Sequence, residues 1–442
     1  MLVTILYFFS FCTICTKEGG GTSGSGGSAQ TPSMKVETLF KVRTITAFIQ
    51  LKSSDFTTNV NTNELKVKIE KCGLFLHDAQ ETFEQNGYNV QTVRIATNPF
   101  EEWLIPKDDE NDQNMKAIDD KLAVLDCLLQ ENNVHFCSLG PSLSLETIKY
   151  CPIIVNTSSK FSCSAEINDP SDITTSNAIV ECIDTISRQN ELGNFRFCAA
   201  ACCKDFIPFF PAAKCCSIHD DDGFKIRFSI GLENGELVHE LLAEAKTIDN
   251  IPRVFKDGML NALLPIQNTC INLQKDNCEY MGIDTSINPS LDKKGSIAYA
   301  LEQIDTISKF GESGTLAAVS TITSILQRQL YPIKLIGYCG VMLPLCEDTR
   351  LSELATDGDL SVQQLLMISS VCGVGIDTVP IAAIKTIKDR ERLAGLILDV
   401  VGIASKWDKS LSCRVFPLLP LDVGMSTDFD SPYLCNTNVL SI

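Results

Sequence analysis

Histidine and tryptophan are nearly missing from this chain, with four and two among 442 residues. The four histidines are too scattered to outline a nucleophile–histidine pairing: His77 and His239 fall in helical patterns and His135 opens a strand. Positive charge is also short, 37 Lys plus Arg against 55 Asp plus Glu, for a net charge of −18. A nucleic-acid partner needs a clustered basic face, and none is visible. No Gly-x-Gly-x-x-Gly follows the first strand and no Walker loop is present, which disfavours a dinucleotide fold. The stretch "GGGTSGSGG" has no strand before it and no helix after it, so it reads as linker. No apolar run is long enough to span a bilayer comfortably; "LVTILYFFSFCTIC" is too short and lacks the basic start of a secretory signal.

Cysteine, in contrast, is abundant at 20. Many cysteines sit inside apolar runs, among them Cys127, Cys137, Cys182 and Cys198, which reads as small buried hydrophobes in a reducing, cytoplasmic compartment. The vicinal pairs Cys202–Cys203 and Cys215–Cys216 are poorly placed to bridge internally. No CxxC pairs with a second CxxC, so a structural zinc site is not expected. Residues 1–33 read as an extension ahead of a folded body that opens at Met34 and runs to 442; a cleaved signal, and hence secretion, is the alternative. The acidic run "KDDENDQN" (107–114) and "HDDDG" (219–223) read as solvated loops, with a divalent-cation site as the competing reading.

From residue 34 onward, β-type runs alternate with helical patterns. "VRTITAFIQL" (42–51), "VQTVRIATN" (90–98), "VHFCSLGP" (134–141), "FRFCAAA" (195–201), "KIRFSIGL", "EYMGIDTSIN", "IKLIGYCGVMLPL" and "SCRVFPLLPL" read as strands, and the segment 366–380 completes the series. Strands alternating with helices predict a parallel sheet, and apolar strands without alternation predict one covered on both faces. The fold expected is one large α/β domain, a barrel-like sheet closed or nearly closed; a doubly wound open sheet is the alternative.

In such folds functional groups gather past the C-terminal ends of strands. Those positions are Thr97-Asn98, Ser138 to Pro141, Glu233-Asn234, Asp284-Thr285-Ser286, Gly340 and the stretch Cys372 to Thr378. Glu233 and Asn234 open a helix, where they either cap it or meet a ligand. Asp284, Thr285, Ser286 and Asn288 share one exit loop before Pro289, as turn chemistry or as a site. Arg43 and Arg94 lie inside apolar strands, so each demands a carboxylate partner or an anionic ligand. Cys372 precedes Gly373, Gly375 and Asp377. It is either a reactive thiol at a strand end or a buried thiol in a close-packed, glycine-rich bend.

Several stretches together, "VQTVRIATNPFEEWL", "GNFRFCAAACCKDFIPFFPAA", "FSIGLENGELV", "GIDTSINPSL", "GYCGVMLPLCED" and "SSVCGVGIDTVP", resemble a family known as domain of unknown function 711, also uncharacterised protein family 210. The resemblance covers residues 34 to 442 and implies a fold like that of the glycyl-radical enzymes, a barrel of about ten strands in two parallel halves. The C-terminal region offers "CRVFPL" and "DVGMST" but no Arg-Val-Ser-Gly-like loop, so radical chemistry is not carried over.

Two function classes follow. The first is an enzyme acting on a small polar or anionic metabolite. Cys372 would be nucleophile or acid/base, Asp284, Asp377 and Glu233 supporting groups, and Arg43 or Arg94 the anion anchor. Asn234, Thr285, Ser286, Gly373, Gly375 and Thr378 would line the ligand. The second is a non-catalytic binder of a metabolite or cation, or an assembly scaffold, with a homo-oligomer within either picture.

Overall fold

Elements alternate along the chain as the periodicity predicts. The first half runs β1 (Lys41–Ile49), α1 (Glu64–Gln85), β2 (Val93–Thr97), α2 (Asp112–Glu131), β3 (Phe136–Ser142), α3 (Cys151–Thr157), β4 (Phe161–Glu166), α4 (Ile173–Gln189) and β5 (Phe197–Ala201). The second half runs β6 (Ile226–Glu233), α5 (Gly235–Ala245), α6 (Ile251–Leu273), β7 (Cys278–Asp284), α7 (Ile297–Leu301), α8 (Thr315–Arg328), α9 (Thr349–Thr356), α10 (Val362–Ser369), β8 (Gly375–Ala382), α11 (Ile387–Trp407) and β9 (Leu411–Leu418). This computed structural model describes residues 39–56, 64–106, 112–217 and 223–442. The expectations for residues 1–33, Met34, the acidic run up to 111 and the turn at 219–222 lie outside the described residues; 112–114 open α2 and are not loop. Among the described residues no helix is long and apolar enough to cross a membrane.

The nine strands form one sheet in the order β7-β6-β1-β2-β3-β4-β5-β9-β8. β1 to β5 are mutually parallel, β6–β7 and β8–β9 are parallel pairs, and the joins β1–β6 and β5–β9 are antiparallel. The sheet is therefore mostly parallel, as expected. The strand "IKLIGYCGVMLPL" is not a regular strand. It makes isolated bridges, Leu335 with Ile283, Val341 with Ile287, and Pro344 with Asp377. The first lies on β7, the second just past its end and the third on β8.

The strands do alternate, which corrects the reading of continuous apolar runs. One face carries large apolar side chains: Ile45 and Ile49 of β1, Leu139 of β3, Phe161 of β4, Phe197 of β5 and Val415 of β9, all in one core with the helices. Each such side chain is worth about 1.5–3 kcal/mol when fully buried. The other face carries small or hydroxyl residues, Thr44, Thr46, Ser138, Ser162, Cys198 and Ser412, and is buried as well. The irregular segment around Phe206 to Cys215 covers part of it. Its carbonyls are satisfied by that face: Thr46 Oγ1 donates to Pro208 O at 2.9 Å, Ser138 Oγ to Ala213 O at 2.7 Å and Ser229 Oγ to Phe206 O at 2.9 Å. A buried carbonyl left without such a donor costs about 1–3 kcal/mol, so the small hydroxyls are what allow loop backbone to lie against a sheet.

Candidate functional site

Between the hydroxyl face and the irregular segments lies a cavity of about 410 Å³. Five cationic side chains line it, Arg43, Arg94, Lys160, Arg196 and Arg414, against two carboxylates, Glu347 and Asp377. In a chain of net charge −18, this local excess of positive charge marks the cavity out. Aromatic side chains make up much of the remaining wall, including Phe136, Phe195, Phe209, Phe210 and Tyr338.

The charges are positioned by strands far apart in sequence. Arg43 leaves β1 beside a register shift and donates through Nη2 to Glu347 Oε2 at 2.6 Å, and through Nη1 to Glu233 Oε2 at 3.4 Å. Arg414 on β9 donates through Nε to Asp377 Oδ1 at 2.5 Å and through Nη2 to Glu347 Oε1 at 2.9 Å. Glu347 therefore bridges two guanidiniums. Burial works against the Arg414 charge, but Asp377 and Glu347 overcome it and its pKa lies above the ordinary arginine value. Burial raises the Asp377 pKa, and the Arg414 guanidinium offsets only part of that rise.

Lys160 pairs with Asp126 at 3.1 Å. Arg196 donates from Nη1 to the carbonyls of Val155, Ser158 (2.6 Å) and Phe161 (3.2 Å), so it ties down the C-terminal end of α3.

Arg94 differs. On β2, opposite Phe136 of β3, it donates through Nε to Thr92 Oγ1 at 2.9 Å. Its guanidinium lies 5.1 Å from the Phe210 ring centroid and 5.5 Å from that of Phe136. Among the described residues it forms no ion pair. Burial, with Arg43 and Arg414 close by, outweighs the opposing pull of Glu347 and pushes its pKa down to about 9. Of the two strand arginines singled out in the sequence, Arg43 takes the internal ion pair and Arg94 takes none.

The other sequence-predicted residues divide. Asp377 lines the cavity; Glu233 lies behind Arg43, where it also accepts from Lys41 and Gln91. Asp377 and Thr378 sit where the β8–β9 register shifts between Ile376 and Val379. Thr378 has φ +46, an unusual conformation for a β-branched residue, and its Oγ1 accepts from Cys346 N at 3.3 Å. Asp284 is not on the cavity. Its buried Oδ1 accepts from Ser286 N, Ser286 Oγ and Cys339 N, and its Oδ2 from Tyr338 N at 2.8 Å. Thr285 Oγ1 donates to Leu326 O at 3.1 Å. These residues pin the 334–344 segment to β7 and α8. Asn234 holds the N-cap position of α5 but does not cap it; Oδ1 accepts from Asn288 N at 2.9 Å and Nδ2 donates to Ser286 O.

Cys372 does not end a strand. It follows α10 and precedes β8, 1% exposed, with its carbonyl accepting from Lys409 Nζ, and it is not part of the cavity lining. The adjacent Gly373 packs backbone to backbone on Gly340, so that a Cβ at 373 would lie 2.5 Å from Gly340 Cα. Gly375 has φ +99 against Ser412 O. Among the described residues no group of three or more His, Cys, Asp or Glu is arranged to hold a metal ion, and the 18 described cysteines are free thiols.

Comparison with known families is decisive at one point: residues 33–430 match the family described as "Uncharacterised ACR (DUF711)". The chain belongs to that family. Relatives named UPF0210 protein include one from Oenococcus oeni, 28% identical over 149 residues, 33% of this chain and 32% of the relative. One from Sulfurisphaera tokodaii is 28% identical over 138 residues, 31% and 30% of the two chains. One from Pyrobaculum islandicum is 25% identical over 230 residues, 50% and 49% of the two chains. The chain thus spans about a third to a half of the length of these curated relatives. The function of the family is unknown.

Arg414, Arg196, Lys160, Glu347 and Tyr338 were not singled out by sequence reasoning. Arg414 carries the same signal as Arg43 and Arg94, a guanidinium inside an apolar strand, "SCRVFPL". Glu347 and Tyr338 carry no comparable local signal.

Proposed function

We propose that the chain binds a small anionic metabolite in the 410 Å³ cavity, with Arg94 as the anchor. The observation that carries this is Arg94 itself: a largely buried guanidinium in the cavity wall, between two rings and without a carboxylate in ion-pair contact among the described residues. A buried charge in that condition is costly, and a bound anion removes the cost. The volume falls within the range of small-molecule sites. Native mass spectrometry of the purified chain, with and without a metabolite extract, tests the reading. An anionic adduct is expected on the wild type and absent from Arg94→Met; an adduct of equal abundance on both contradicts it.

A second reading, an enzyme transferring a proton to or from that anion without glycyl-radical chemistry, is favoured by Asp377. Its carboxyl lines the cavity, its pKa is raised by burial, and it stands beside Thr378 at positive φ. Under this reading Arg414 keeps Asp377 oriented, and Cys372 and Asp284 hold the framework. Incubating the bound metabolite in deuterated water and following its mass tests it. Exchange lost in Asp377→Asn supports the enzyme, and no exchange in the wild type leaves the binder.

The proposal includes closure of the sheet. The 334–344 segment hydrogen-bonds to β7 through Ile283 N to Lys334 O and Ile336 N to Ile283 O, and bridges β8 at Pro344. These contacts support a barrel of two antiparallel halves whose tenth member is irregular, with the cavity inside it.

A further inference from the structure

The cavity contains enough information to narrow the ligand, on the reading above that Arg94 is its anchor. Four of its five cations are already engaged: Arg43 and Arg414 with Glu347, Glu233 and Asp377, Lys160 with Asp126, and Arg196 with three carbonyls. Arg94 and Arg196 both lack an ion pair among the described residues, but three carbonyls occupy Arg196, which leaves Arg94 as the lining cation with neither an ion pair nor a carbonyl acceptor. A single anionic group on Arg94 meets the one guanidinium whose acceptors are not already supplied by carboxylates or carbonyls. A dianion would bring its second charge toward Glu347 and Asp377, both in the same lining.

The wall around Arg94 is flat and apolar. Its guanidinium sits over Phe210 and Phe136, and Arg414 likewise lies 5.0 Å from the Phe195 centroid. Such a wall favours a planar apolar body stacked on rings over a hydrated or branched one. The fork of a guanidinium suits the two oxygens of a carboxylate.

A second polar contact is available. Ser162 Oγ, in a residue 3% exposed, has no hydrogen-bond partner among the described residues, and Ser162 lines the cavity. The neighbouring hydroxyl-face residues Thr46, Ser138 and Ser229 all donate to loop carbonyls. Ser162 stands on β4, two strand spacings or about 10 Å from β2, across a gap that an aromatic ring helps to fill.

We propose that the ligand is an aromatic monocarboxylate, its carboxylate on Arg94, its ring against Phe136 and Phe210, and a ring hydroxyl or carbonyl substituent toward Ser162. Isothermal titration calorimetry of the full chain with benzoate, 4-hydroxybenzoate, trans-cinnamate, hexanoate, succinate and inorganic phosphate tests this, with benzyl alcohol as a neutral control. The aromatic monocarboxylates should bind at least about tenfold more tightly than hexanoate, succinate or phosphate. Benzyl alcohol should give no heat. Arg94→Met should weaken benzoate at least about tenfold, Arg94→Lys less, and Ser162→Ala should reduce only the preference for 4-hydroxybenzoate over benzoate. Tighter binding of succinate or phosphate overturns the monocarboxylate assignment while leaving the anion site standing. Equal binding of hexanoate and cinnamate overturns the ring. If none of these anions binds, the inference is overturned, and the mass-spectrometric comparison of wild type with Arg94→Met then decides whether the anion site falls with it.

Discussion

The Arg94 guanidinium lies 5.1 Å from the centroid of the Phe210 ring. That ring belongs to the irregular segment covering the hydroxyl face, so the same segment that shapes the cavity also supplies a neighbour for its unpaired charge. Cation–ring contact offsets part of the cost of burial, on the order of 1–2 kcal/mol, but does not neutralise the charge. Arg43, one strand away, contacts two carboxylates, Glu233 and Glu347, which it shares with Lys41 and Arg414. The contrast between two arginines on adjacent strands is the basis for reading one as framework and the other as anchor.

Glu347 accepts from both Arg43 and Arg414, and removing its charge leaves each with one carboxylate instead of two. Glu347→Gln should lower stability by about 3 kcal/mol, measured by urea unfolding, because it breaks a buried ionic network on one side only. The same change adds positive character to the cavity. Inorganic phosphate, a poor ligand of the wild type, should bind the variant detectably by calorimetry.

Gly373 and Cys372 are adjacent yet should respond differently. Gly373→Ala pushes a methyl group into Gly340 and should cost about 1–3 kcal/mol in unfolding free energy. Cys372→Ala removes a buried thiol that does not line the cavity; benzoate affinity by calorimetry should stay within about twofold of wild type, a change of well under 1 kcal/mol. A large loss of affinity would restore the thiol to the site.

Much of the fold was legible because large apolar residues recur at fixed spacing, and glycine marks a boundary where the helix Glu64–Gln85 stops two residues before Gly87 at φ +87. β4 was missed because "FSCSAE" alternates Phe161, Cys163 and Ala165 with serines and lacks β-branched residues. "IKLIGYCGVMLPL" misled in the opposite direction. Its apolar residues suit a strand, but Asp284 captures the backbone N–H groups of Tyr338 and Cys339, and Cys339 turns to φ +48, so the ladder is interrupted. A guanidinium in an apolar strand was the signal that singled out Arg94, which the structure places in the cavity lining. That Arg43 would be the paired one was not legible, because its partner Glu347 lies 304 residues away and is brought over by topology alone.

Cys215 and Cys216 form a vicinal pair with opposite chemistry. The Cys215 hydrogen bond, helped by Arg227 against the cost of burial, pulls the half-buried Cys216 thiol down to about 7, while the same hydrogen bond and burial push Cys215 well up. The thiolate is the nucleophile, so a lowered pKa brings reactivity in at lower pH. Alkylation by iodoacetamide, followed by peptide mass spectrometry, should increase at Cys216 as pH rises with a midpoint at about 7, with Cys215 unlabelled in the folded protein. Labelling of Cys215 ahead of Cys216 would contradict the assignment.

The most direct test of the central claim needs no ligand. If Arg94 is an uncompensated charge held for an anion, replacing it with an apolar side chain of similar length relieves the ligand-free protein. Thermal melting of ligand-free Arg94→Met should then give a Tm about 2 °C above wild type. A Tm several degrees below wild type would show that Arg94 is a structural cation satisfied by the protein itself, and the anion-binding account would fail.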